Sequence, residues 1–271
     1  MERDVHPAEA TLRPQHLIVT IFGRYGRARG GTVPIADLIE LMAALGVDAG
    51  VVRSSVSRLK QRGVLVSDRA DGAGYRLSES LEEVFAAGDH RIFETRRATP
   101  DDPWLLVSFS VPERERPLRH QLRKLLHRLG FGQVSGGLWV APGLIADETR
   151  TALQQAGLDG YVELFLGARV SSEPLAEAVQ GWWDLSLLEP LYRSFVDTYA
   201  PVLDAGPSDR DAFSAYVAAI TQWRRLTYLD PGIPFALLPD GWAGVEAERL
   251  FGELHDRLEP PAARFVAAVM D

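Results

Sequence analysis

The stretch from Leu38 to Gly63 constrains this chain most, because its two apolar spacings fit only a pair of short helices. Leu38, Leu41, Met42 and Leu45 share one helical face, and Gly46 stops that helix. After Val47, Asp48 is placed to cap a second helix. There Val52, Val56 and Leu59 stand at i, i+4 and i+7, a single buried stripe. Arg53, Ser54, Ser57, Arg58 and Gln61 fall on the other side of the same helix. Two short helices joined by a tight glycine turn make a helix-turn-helix unit. Its second helix shows hydroxyls and arginines, the groups that suit base edges and phosphates. An ordinary helical hairpin with a polar outer face has the same pattern, so the flanks must decide.

The flanks fit a DNA-binding domain. Residues 1–13 are polar and aperiodic, a loose arm. Gln15 to Gly26 carries Leu17, Ile18, Ile21 and Phe22 on one face, a first helix ended by Gly30-Gly31. Thr32-Val33-Pro34 is a short extended link. After Gly63, Val64 to Ser67 and Tyr75 to Ser78 are expected strands, with Asp68 to Gly74 as the hairpin loop. Three helices followed by a hairpin describe a winged helix. Arg53, Ser54, Ser57, Arg58 and Lys60 are the expected DNA contacts on the second helix, and Arg69 and Arg76 those on the wing. Leu81 to Arg97 is a further helix, and Ala98 to Pro103 a linker.

From Trp104 the pattern changes to βαββαβ. Trp104–Val111 is a strand, Pro117–Leu129 a helix with Leu118, Leu122, Leu125 and Leu129 inward. Gln133–Ser135 and Leu138–Ala141 flank Gly136-Gly137, a hairpin turn. Asp147–Ala156 is a helix and Tyr161–Leu166 the last strand. That order is the ferredoxin-like split unit. Beyond Ser171 the periodicity is helical, around 174–182, 187–203, 209–229 and 244–270. The expected fold class is therefore α+β in three domains: a winged helix-turn-helix at 1–97, a ferredoxin-like domain at 104–170 and a helical domain at 171–271.

Charge is unevenly placed along these segments. The whole chain carries −8, yet residues 10–76 hold 10 Arg/Lys against 5 Asp/Glu, and residues 77–271 hold 18 against 29. The basic segment is the one with the helix-turn-helix, the electrostatic footprint of a nucleic-acid site. A composition 46% hydrophobic and 24% charged argues against disorder. Absence of cysteine removes disulfides, thiolate nucleophiles and thiolate zinc sites. No apolar run approaches about 18 residues and no signal-like segment opens the chain, so a cytoplasmic protein is expected, with no membrane partner.

Several motifs together resemble the PaaX-type repressors of phenylacetic-acid catabolism. They are Leu38-Ile39-Glu40-Leu41 with Leu45-Gly46-Val47, Arg53 to Leu59, and Phe109-Ser110-Val111-Pro112-Glu113. Gly130-Phe131-Gly132 and Gly137 to Pro142 follow, then Trp223-Arg224-Arg225, Asp230-Pro231, Leu237-Leu238-Pro239 and Gly241-Trp242. The resemblance runs from Leu17 to about Leu254 and implies a GntR-like winged helix, a ferredoxin-like middle domain and a helical C-terminal domain. It also implies a homodimer that binds a double-stranded DNA operator and releases it on binding an aryl-acetyl-CoA thioester. With it in view, Trp182, Trp183, Trp223 and Trp242 are candidates for the aromatic group of that effector, and Arg193, Arg224 or Arg225 for its phosphates. Aromatic side chains of a helical domain also serve simply as core.

No catalytic residue, metal ligand or cofactor site is expected. His6, His16, His90, His120, His127 and His255 show no metal spacing. No GxGxxG, Walker A or Gly-x-Ser-x-Gly string is present. The alternative function is a metal-dependent nuclease, since the middle domain also resembles the small ferredoxin-like CRISPR-associated nucleases. Those place an aspartate at the end of their first strand, where this chain reads Val107 to Val111 with no acid before Glu113. Arg119, Arg123, Lys124 and Arg128 line the outer face of the next helix, as a solvated face would.

Overall fold

The computed structural model describes residues 12–68, 73–93, 97–170 and 172–271. In chain order it begins with α1 (Pro14–Ile21), β1 (Val33–Pro34), α2 (Ile35–Ala44) and α3 (Ala49–Gln61). Next come β2 (Leu65–Asp68), β3 (Gly74–Leu77), α4 (Glu82–Phe93), β4 (Trp104–Phe109) and α5 (Arg116–Arg128). Then follow β5 (Gly132–Ser135), β6 (Leu138–Pro142), α6 (Ala146–Gln155) and β7 (Val162–Gly167). The rest is helical: α7 (Leu175–Trp182), α8 (Leu188–Asp204), α9 (Asp209–Leu229) and α10 (Ala243–Met270). The chain is thus α+β, with one three-stranded and one four-stranded antiparallel sheet. No helix of the described residues is long and apolar enough to cross a membrane.

Contacts divide the chain into two compact units that do not follow sequence order. The first takes in the chain to Glu94 together with Leu191–Arg225 and Glu246–Asp271. The second is Thr95–Pro190 with Leu226–Val245.

In the first unit, α2 ends at Gly46, whose φ of +73° only glycine adopts without strain. That turn returns the Val47 N–H to the Met42 carbonyl at 3.0 Å. α3 then buries Val52, Val56 and Leu59, each at most 2% exposed. Each such side chain stabilises by about 1.5–3 kcal/mol relative to exposure. Asp48 precedes α3 with extended backbone, but its side chain makes no cap bond. β2 and β3 pair with Leu65 opposite Leu77, and the expected link Thr32-Val33-Pro34 supplies a third strand, with Val33 opposite Tyr75. Two residues are too few for a period-2 signal to register, so the sequence shows no strand there. The C-terminal helices belong to the same core. The Thr20 and Thr221 hydroxyls bond at 2.8 Å between α1 and α9, and Ser214 of α9 donates to the Ala44 carbonyl at 2.9 Å.

In the second unit the strand order is β5-β6-β4-β7. Alternation along β4 sends Leu105 and Val107 into a core with Leu122, Leu126, Trp139 and Leu153. Trp104 goes to the other face, against Val140, Val179 and Ile233. Both faces are therefore covered, the first by α5 and α6 and the second around α7.

Candidate nucleic-acid interface

α3 is anchored by its apolar stripe and leaves Arg53, Ser54, Ser57, Arg58 and Lys60 exposed. The side chains are ordered among themselves. Ser54 Oγ donates to the Val51 carbonyl at 3.0 Å. Arg58 donates from Nε to the Ser54 carbonyl at 3.3 Å and from Nη2 to Ser54 Oγ at 3.2 Å. Lys60 Nζ lies 5.5 Å from the ring centroid of Tyr75, on the central strand of the small sheet. The helix thus offers a short ridge of hydroxyl and guanidinium donors fixed on a buried base. Arg62, four residues past Arg58, extends that ridge at the helix C-terminus. The sequence reading passed it over, although the i, i+4 spacing marks it.

The wing residues differ. Arg76 meets Asp68 at 3.8 Å and Glu79 at 3.0 Å, so two carboxylates already face its charge. Arg69 lies outside the described residues.

The residues expected around an effector are divided between the units. Trp182, Trp183 and Trp242 belong to the second, and Arg193, Trp223 and Arg224 to the first. Trp182 and Trp183 form an aromatic cluster with Trp104, centroids 6.0–6.2 Å apart. Trp183 also donates from Nε1 to the Gly130 carbonyl at 2.9 Å. The Arg169 guanidinium sits 5.6 Å from the Trp182 ring. Trp242 is buried. Trp223 is 2% exposed and stacks on Phe251 at 4.7 Å, with Phe195 at 5.2 Å, so its faces are filled by core. Arg193 is exposed and Arg224 half-buried.

His127 meets the Trp139 ring edge-on at 4.6 Å, and desolvation, then Arg123, lowers its pKa. No group of three or more His, Asp or Glu among the described residues is placed to hold a metal ion. β4 ends at Phe109, and Glu113 follows only after Pro112.

A small basic helix face set on a helix-turn-helix-like corner is the surface with which groove-binding regulators meet a polyanion. Three family descriptions then cover nearly all of the chain: "PaaX-like protein" at residues 13–81, "PaaX protein central Cas2-like domain" at 97–179 and "PaaX-like protein C-terminal domain" at 183–268. The chain belongs to the PaaX family. It is 26% identical over 261 residues to the transcriptional repressor PaaX of Escherichia coli K12, covering 93% of this chain and 82% of that one. Its fold is similar to that of the uncharacterized protein Rv0674 from Mycobacterium tuberculosis, with a TM-score of 0.64 at 23% identity, over 96% of this chain and 99% of that one.

Proposed function

We propose that the protein is a DNA-binding transcriptional repressor of a phenylacetate-type catabolic operon. The observation that carries this is the face of α3, where Arg53, Ser54, Ser57 and Arg58 stand exposed on a helix whose other side is fully anchored. A hairpin directly after α3 supports reading the first unit's N-terminal part as a winged helix. The order β5-β6-β4-β7 with two helices on one face supports reading the second sheet as ferredoxin-like. α3 enters the major groove, and its arginines read guanine edges or adjacent phosphates. The nuclease alternative is not favoured: β4 ends without the acid that metal catalysis needs, and the similar Escherichia coli protein is a repressor.

The test is capture of fragments from the source genome, followed by affinity measurement on the captured operator. Arg53→Ala with Arg58→Ala costs about 1–3 kcal/mol per lost base contact and flattens the preference for operator over random DNA. Unchanged binding by the double variant would sink the assignment.

The effector we propose is a small acidic aromatic metabolite carried as its CoA thioester. The half-exposed Trp182 and Trp183 rings of the second unit suit an aryl group. Trp223 is set aside because its ring faces are filled. A tenfold loss of operator affinity on binding corresponds to about 1.4 kcal/mol of coupling. Phenylacetyl-CoA titrated into the operator complex releases the DNA, whereas free phenylacetate does not. Failure of the thioester removes this effector class.

A further inference from the structure

Arginines from three stretches of the first unit, Arg13, Arg62 and the pair Arg224-Arg225, act electrostatically on His16 in the first turn of α1. Arg13 stands at the cap position of α1, and its side chain makes no cap bond to the first turn. In that turn Gln15 Oε1 accepts a bond from Arg62 Nη1 at 3.5 Å, which brings the end of α3 to the same place. Further along α1, the Thr20–Thr221 hydroxyl pair fixes α9 against it. One helical turn from Thr20 toward the start of α1 is His16. One turn from Thr221 toward the end of α9 are Arg224 and Arg225.

The ring of His16 registers this company. Its pKa is lowered by desolvation first, then by the positive charges of Arg224, Arg13, Arg62 and Arg225. Among the described residues, Arg13, Arg62 and Arg225 have no carboxylate partner. Like charges gathered at a helix N-terminus repel one another, and an anion that shares the field relieves that repulsion.

We propose that this cluster is a phosphate site that holds the DNA backbone beside the groove occupied by α3. The inference rests on the reading of α3 as the DNA-reading helix. What selects DNA as the source of the phosphate is continuity. Ser54, Arg58 and Arg62 follow one another at four-residue spacing along α3, so one basic ridge runs from the groove-facing side to the cluster. Phosphates along one DNA strand border the groove and fix a protein's position without reading sequence. In this arrangement the C-terminal helix α9 supplies part of the DNA interface, and the helix-turn-helix does not stand alone.

The experiment uses the full chain, a random-sequence duplex and the captured operator, with affinity measured across a series of salt concentrations. Arg13→Gln with Arg225→Gln is the test variant, since both side chains are exposed and the melting temperature is expected to hold. Each lost phosphate contact reduces the steepness of log K against log salt by about 0.9, so the double variant falls by about 1.8. The weakening is alike for operator and random DNA, and Arg13→Lys with Arg225→Lys keeps the wild-type slope. A Gln variant with unchanged slope overturns the phosphate site while leaving the DNA reading intact. A wild-type chain that binds neither duplex overturns both. Coenzyme A titrated without DNA tests the other source of phosphate: binding lost in the Gln variant while the DNA slope persists assigns the cluster to a free ligand and overturns the proposal.

Discussion

Arg97 and Asp230 show how much a single residue pair decides in the second unit. Arg97 Nη2 donates to Asp230 Oδ2 at 2.7 Å, with the two side chains only 11% and 8% exposed. The same guanidinium donates to the Ile233 carbonyl at 2.8 Å and lies 3.9 Å from the Phe235 ring centroid. Asp230 Oδ1 in turn accepts the Gly232 N–H at 2.7 Å. The pair therefore ties the start of the second unit to the segment that closes it. A buried pair contributes little over an apolar replacement, but removing one partner strands the other charge. Asp230→Asn is expected to cost about 3–5 kcal/mol in thermal or urea unfolding. A loss below about 1 kcal/mol would mean that solvent screens the pair as it does on a surface. The sequence reading saw Arg97 as the last residue of a helix and Asp230-Pro231 as part of a motif. Neither position announces a partner more than a hundred residues away.

At the scale of elements, the motif Gly130-Phe131-Gly132 acquires a physical reason. A Cβ at Gly132 would stand 2.6 Å from two carbons of the Trp183 ring. The indole lies directly on the opening of β5 and is held there by its bond to the Gly130 carbonyl. Gly132→Ala forces the ring away, and overpacking of this kind costs about 1–3 kcal/mol. Tryptophan emission should shift as the Trp104–Trp182–Trp183 cluster loosens, and an unaltered spectrum with unaltered stability would refute the packing account. Trp183 thus has a structural duty beside any part in ligand binding. α3 is the opposite case, an element readable in advance. Its bounds, its buried stripe and its exposed row all follow from a 3.6-residue period in one short stretch.

The whole molecule raises the matter of its partner. On the proposed reading of α3, one copy contacts few base pairs while a genome offers about 10⁶ or more competing sites, so we propose a two-fold dimer on an inverted repeat as the DNA-bound form. β7 is a candidate for the contact. Among the described residues it pairs with β4 alone, and Phe165 and Leu166 on it are 56% and 58% exposed. An open strand edge with large apolar side chains is a template for a second strand. A second copy of this chain is the occupant that the DNA reading requires, since it doubles α3 with the same symmetry that doubles the edge. Phe165→Lys is expected to give a monomer by light scattering at micromolar concentration and a weaker operator complex. A wild-type chain that is already monomeric on the operator would end the dimer reading.

The sequence by itself determined the longer elements and the exposed polar row of α3, because helix and strand periods, glycine stops and charge imbalance are local quantities. Leu38 to Gly63 needed nothing else to define two helices and their outer row. Tertiary structure alone decided which distant segments share a core. The two-residue strand Val33–Pro34 exists only through its pairing with Tyr75 and Gly74. Trp223 joined the core only because Phe251 and Phe195 close on it. Arg224 and Arg225 act on His16 because the Thr20–Thr221 contact brings α9 to α1. Burial and the meeting of charges from separate segments depend on how the chain returns on itself, and periodicity carries no record of that return.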